Sequence, residues 1–143
     1  MKALFGLLSA CLAVFFAYLA LFSSPGCSPV GPNTSKATSY TIYKVRDFSF
    51  PGRVRKNWLG YSAAIDFESR AQTAIKAALD IQQGSHADVV QVFLTTRNSG
   101  YELANAWYAK DGRGMNGLED WQWKVTAVRG KPEDNFAEVY EVK

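Results

Sequence analysis

DFESRAQTAIKAALDIQQG, residues 66–84, is the stretch that decides the fold. Phe67, Ala71, Ala74, Ile75, Ala78 and Leu79 recur at helical spacing, while Glu68, Arg70, Gln72, Lys76, Asp80 and Gln83 fall around them, so the segment reads as one amphipathic helix. Asp66 suits the N-cap, Glu68 favours the positive end of the helix dipole, and Gly84 stands where a C′ glycine belongs. The apolar stripe is mostly alanine. Small side chains let such a helix lie close to a sheet.

Strand signals surround it. ADVVQVFLTT (87–96) is almost wholly apolar and β-branched, as a central strand covered on at least one face should be. YELANAWYAKD (101–111) and DWQWKVTAVRG (120–130) follow, the second with Trp121, Trp123, Val125 and Ala127 on one face and Gln122, Lys124 and Thr126 on the other. NFAEVYEVK (135–143) reads as a last strand. Upstream, 39–50 and 54–65 read as strands separated by the turn pair Pro51-Gly52. The order β-β-α-β-β-β-β predicts an α+β two-layer sandwich, one main helix on a largely antiparallel sheet, over residues 40–143. The aromatic-rich chain supplies rings for a core. One helix cannot cover both faces of six strands, so the uncovered face is either polar or bound to a partner.

Residues 3–22 carry no charge. At about 1.5 Å per residue, a helix of that length spans about 30 Å, a bilayer's hydrocarbon thickness. Lys2 precedes the run and the first basic residue after it is Lys36, a bias that keeps the N-terminus cytoplasmic and sends the domain outside. Three outcomes stay open: a retained transmembrane anchor, a lipoprotein through Cys27 after the imperfect lipobox Ser24-Pro25-Gly26, or a cleaved signal. Each brings the chain to a membrane, through residues 3–22 or a lipid on Cys27. Residues 23–39, rich in Ser, Pro and Gly, read as a flexible linker.

The chemical inventory is thin. Gly112, Gly114 and Gly117 have the spacing of a dinucleotide loop, but only three residues separate Gly117 from the Trp-Gln-Trp strand, leaving no room for the helix that would receive a pyrophosphate. The stretch is instead a hairpin loop with turn pairs Asp111-Gly112 and Asn116-Gly117, and its free backbone amides make Gly112, Gly114 and Asn116 weak binding candidates. No nucleotide and no cofactor is expected. Gly60-Tyr61-Ser62-Ala63-Ala64 is an incomplete nucleophile elbow, and the single histidine, His86, is the base that a small periplasmic serine hydrolase would have to use with Ser62. With no cysteine after Cys27 and one histidine, a metal site is not expected either. The net charge of +3 excludes a strongly basic nucleic-acid binder, so no nucleic acid is expected. Lys44, Arg46, Arg53, Arg55 and Lys56 cluster with one acid, Asp47, and form either a solvated strand face or a surface for anionic headgroups or another envelope polyanion.

AQTAIKAALDIQQ, ADVVQVFL and ANAWYAKDGRGMNG, in this order, resemble a family of small bacterial cell-envelope proteins, often lipoprotein-like, whose domain has no assigned function. The resemblance spans about residues 40–130 and carries over no catalytic residue. The resemblance speaks to fold and not to chemistry; the N-terminal membrane segment and linker together with the nearly empty catalytic inventory point to a non-enzymatic binding or assembly domain on the periplasmic side, meeting another envelope protein, in an envelope machine or as an exclusion factor of a mobile element.

Overall fold

The computed structural model describes residues 31–143. Its single long helix, α1 (Phe67–Ser85), begins where the sequence places it. Asp66 accepts a hydrogen bond from the Ser69 amide at 2.9 Å and Ser69 Oγ accepts one from the Asp66 amide at 3.2 Å, a reciprocal capping box. The C-terminal end differs from expectation. Gly84 stays inside the helix, and His86 takes the left-handed conformation at φ 53° with its amide bonded to the Gln82 carbonyl.

Six strands form one sheet in sequence order: β1 (Tyr40–Asp47), β2 (Arg55–Ser62), β3 (Val89–Thr95), β4 (Glu102–Ala109), β5 (Trp123–Val128) and β6 (Ala137–Val139). Every neighbouring pair is antiparallel except β2 and β3. That exception follows from the helix, which carries the chain from the end of β2 back to the level of its start, so β3 must run the same way. The α+β sandwich predicted from the pattern is the fold observed. The last strand is shorter than expected, Ala137–Val139 within 135–143: Asn135, left-handed at φ 50°, ends a 3₁₀ turn at Pro132–Asp134, and pairing with β5 does not extend past Val139.

One face of the sheet is packed. The helix lies over β3, β4 and β5, with Ala71, Ala74, Ile75 and Ala78 fully buried against Val90, Val92, Leu94, Ala104, Ala106, Val125 and Ala127. Alanines on both sides bring the two layers close, and burial of the branched side chains between them supplies the main folding force, about 1.5–3 kcal/mol each.

The buried helical surface is wider than the apolar stripe, since Ser69, Arg70, Gln72 and Thr73 are buried as well. Two contacts explain this. The Lys36 amide donates to Gln72 Oε1 at 2.8 Å and the Thr38 amide to Thr73 Oγ1 at 2.9 Å, so the end of the expected linker lies bonded along the helix. On the other flank the Arg70 guanidinium donates to the carbonyls of Val128 (2.6 Å), Gly130 (2.8 Å) and Ala64 (3.3 Å), and burial lowers its pKa from the ordinary arginine value.

The expected transmembrane helix is corrected here: among the described residues, no helix is long and apolar enough to cross a membrane. Residues 3–22, on which that expectation rested, and the lipidation candidate Cys27 lie outside the described residues.

Candidate functional site

The face of the sheet turned away from α1 has a different chemistry, because side chains alternate between faces and register aligns them across strands. One row runs Arg46, Asn57, Gln91, Trp107, Lys124 from β1 to β5. The adjacent row runs Lys44, Leu59, Phe93, Asn105, Thr126. Neither row contains a carboxylate, and cations stand at three of their four ends. Gln91 Nε2 donates to Asn105 Oδ1 at 3.1 Å, tying the rows together. Farther up β2, Tyr61 stacks on Tyr43 with centroids 5.9 Å apart, and the Arg97 guanidinium sits 5.2 Å from the Tyr61 ring.

Two chain segments wall this face at the lower end of β2. The first is the turn around Phe48 and Phe50; the second is the loop 110–121. Arg53 holds the loop. Its guanidinium, 9% exposed, donates to both oxygens of Asp111 (2.8 and 3.1 Å), to the Met115 carbonyl (3.0 Å) and to the Gly114 carbonyl. Asp111 is pulled down to about 2, chiefly by this bond and then by the Arg113 amide, and Arg53 is raised in turn. A phosphate-binding loop turns amides toward an anion, whereas this one turns carbonyls toward a cation. Several of its amides are also occupied: Gly112 on the Ala109 carbonyl, Gly114 on the Trp121 carbonyl, Met115 on Glu119 Oε2. Gly114, at φ +61°, is enclosed so tightly that a Cβ would lie 2.5 Å from Glu119 Cβ and 2.7 Å from Trp121 Nε1.

A cavity of about 190 Å³ opens between these walls and the row. Phe48, Val89, Trp107 and Met115 give it apolar sides, and Arg55, Asn57 and Gln91 give it polar ones, with Lys56 also on its lining. Arg55 donates to the Phe48 carbonyl (3.1 and 2.9 Å) and to Asn116 Oδ1 (3.2 Å), which fixes the guanidinium at the cavity and leaves it further N–H groups. Asn57 Oδ1 is buried and has no hydrogen-bond partner.

The residues singled out in the sequence thus separate by position. Arg53, Arg55, Gly114 and Asn116 meet at the loop, and Arg46 lies on the uncovered face beside Asn57. Lys56 shares the opposite face with Val90 and reaches Asp47 at 3.8 Å, while Gly112 sits in a turn at φ +70° with open space around it. The Ser62–His86 pair is a correction. Ser62 Oγ lies 3.1 Å from Thr38 Oγ1, which is 3.3 Å from Thr73 Oγ1 in the second turn of α1, and His86 caps the far end, so the helix from Thr73 to His86, at about 1.5 Å per residue, holds them roughly 20 Å apart. Ser62 Oγ instead donates to the Ser39 carbonyl at 2.9 Å, and no nucleophile–base pair forms. Among the described residues no group of His, Cys, Asp and Glu is placed to hold a metal.

Asn57, Gln91, Trp107 and Lys124 escaped sequence reasoning. Part of their signal was present: Gln91 interrupts the apolar run VVQVF, and register later aligns it with Asn57.

A helix-backed open sheet with a polar and aromatic uncovered face defines an α+β class of domain. Within that class the chain belongs to the DUF4875 family, a domain of unknown function that matches residues 35–142. Among solved structures it is similar to a DUF487 family protein from Desulfovibrio piger ATCC 29098, with 26% identity, a TM-score of 0.58 and coverage of 71% of this chain and 69% of that one. Neither description names a reaction. No curated protein matches the chain.

Proposed function

We infer that this domain is a non-enzymatic binding or assembly module of a bacterial cell envelope. On this reading the apolar run 3–22 directs export, a lipid on Cys27 holds the product at the membrane, and the uncovered sheet face meets another envelope protein with an acidic surface. The observation that carries the binding role is the pair of rows on that face, in which Lys44, Arg46 and Lys124 flank amides and rings with no carboxylate among them. Charge of one sign around an apolar centre suits a partner of opposite sign. A photo-crosslinking residue at Thr126, on this face, should give a discrete adduct in intact cells, while one at Gln83, at the end of the helix layer, should not. A C-terminal alkaline phosphatase fusion should be active. Adducts from Gln83 alone, or an inactive fusion, would overturn the reading.

A further inference from the structure

Resting on the reading of the uncovered face as a partner-binding surface, we propose that the groove beside Trp107 takes an extended acidic segment of that partner. One phenylalanine-sized side chain of the segment enters the cavity between Phe48 and Trp107, and carboxylates flank it on both sides. The groove is longer than that cavity. A second cavity, about 270 Å³, shares Trp107 and Met115 with it and continues past Trp121 to Lys124, so the two together cross the strands from Arg55 on β2 to Lys124 on β5. Volume assigns the anchor. At about 190 Å³ the first cavity is well below the ~300–1,000 Å³ of pockets for drug-sized molecules, and one ring-bearing side chain fills it. Phe48, Val89, Trp107 and Met115 give it apolar sides, the kind of pocket in which a buried anchor of an interface sits.

The rim assigns the charge. Arg55 is held at the cavity by Phe50, whose ring centroid lies 4.7 Å away, and keeps N–H groups left over from its bonds to Phe48 and Asn116. Arg46 is exposed on the next strand, and Lys124 is exposed at the other end of the groove. Among the described residues, none of these three cations makes an ion pair. The acid that lines the groove, Glu119, is engaged by the Met115 amide at 2.9 Å and Trp121 Nε1 at 3.0 Å. A second copy of this chain fits badly, because face-to-face packing would set Lys44, Arg46 and Lys124 against their own kind. Spacing then fixes the pattern. With strands about 4.8 Å apart, an anchor seated over Val89 on β3 has Arg55 about 5 Å to one side and Lys124 about 10 Å to the other. Side chains two and four positions from the anchor point the same way along an extended segment, about 6.6 and 13 Å from it, so acids there meet the cations.

The probe is the alternating peptide acetyl-Glu-Ser-Glu-Ser-Phe-Ser-Glu-Ser-Glu-amide, titrated up to about 1 mM into the full chain in a non-ionic detergent and followed by calorimetry and tryptophan fluorescence. Saturable 1:1 binding is expected, weakening at least threefold as salt rises from about 0.05 to 0.3 M. A peptide with alanine for its phenylalanine, and one with glutamine for every glutamate, should each bind at least tenfold more weakly. Lys124→Glu in the chain should also weaken binding at least tenfold, whereas Lys131→Glu, the same charge change at an exposed lysine beyond the far end of β5, should leave it within twofold. Equal binding of the alanine peptide means a diffuse surface for any polyanion, equal binding of the glutamine peptide means an uncharged occupant, and absence of saturation means no peptide site. Each of these overturns the proposal. The titration uses no cellular partner, so its failure would leave the Thr126 crosslinking result standing, and a missing crosslink would leave a bound peptide standing.

Discussion

The two faces of this sheet are built from the same strands in the same register, yet they solve opposite problems. Beneath α1, Val90, Val92, Leu94, Ala104 and Ala106 are wholly buried, and hydrophobic burial there holds the domain together. On the other face, Asn57, Gln91 and Asn105 replace aliphatic side chains at positions that alternate with those, and Trp107 is left half-buried with no helix over it. The strand VVQVFLT therefore carries core packing on Val90, Val92 and Leu94 and presents Gln91 and Phe93 between them on the uncovered face. Substitutions one residue apart should have unrelated consequences.

The strongest way to break this comparison is to cut both faces and measure unfolding. Leu94→Ala removes a fully buried side chain and should cost about 2–5 kcal/mol in denaturant unfolding. Lys124→Ala, an exposed end of the recognition row, should stay within about 0.5 kcal/mol of wild type. Equal losses would mean that the uncovered face is a second core.

The helix and all six strands were legible in the sequence because each has a local cause: alanine periodicity, the Asp66 cap, β-branched runs, Pro51-Gly52. The site was less legible. Alternation within one strand tells which residues share a face, but Asn57, Gln91 and Trp107 come from three strands, and only pairing brings them into one row. Arg53 misled in a different way. Its charge suggested a solvent-facing cation, whereas the loop folds around it and uses it as an internal tie to Asp111. Gly112 and Gly117 take positive φ, as their turn pairs predict, and Gly114 does so as well, but nothing local shows that the loop's carbonyls turn inward.

That loop forms one wall of the cavity, so disturbing it sharpens the distinction between the faces. Gly114→Ala places a Cβ against Glu119 and Trp121 at positive φ and should cost about 2–3 kcal/mol by thermal or denaturant unfolding. Asp111→Asn is milder. The carboxylate is 41% exposed, so solvent screens much of its pairing and about 1–2 kcal/mol is expected. Its folded-state pKa, about 2, lies below the ordinary value of 3.8, so the stabilisation is complete above about pH 4 and disappears as pH falls through 2. The stability gap between wild type and variant should therefore close over that acid window. A gap that persists at pH 2 would mean that the ion pair is not its source.

The smallest expected effect tests the covered face without touching the other. Asp66 satisfies the Ser69 amide at the start of α1, and its carboxyl is held below the usual range first by that amide and then by the Ser69 hydroxyl. Asp66→Ala removes the cap and should lower stability by about 1 kcal/mol. The cost should be present at neutral pH and fade in acid, because the wild-type carboxylate loses its charge there while the alanine has none to lose. Asp66 contacts no wall of the cavity, and the sheet lies between the helix and the uncovered face. Partner binding by the uncovered face, read as the crosslinking adduct from Thr126, should accordingly remain at the wild-type level at temperatures where both chains are folded. A variant that lost binding in step with stability would show that the two faces are coupled through the sheet, and the division of labour along each strand would then fail.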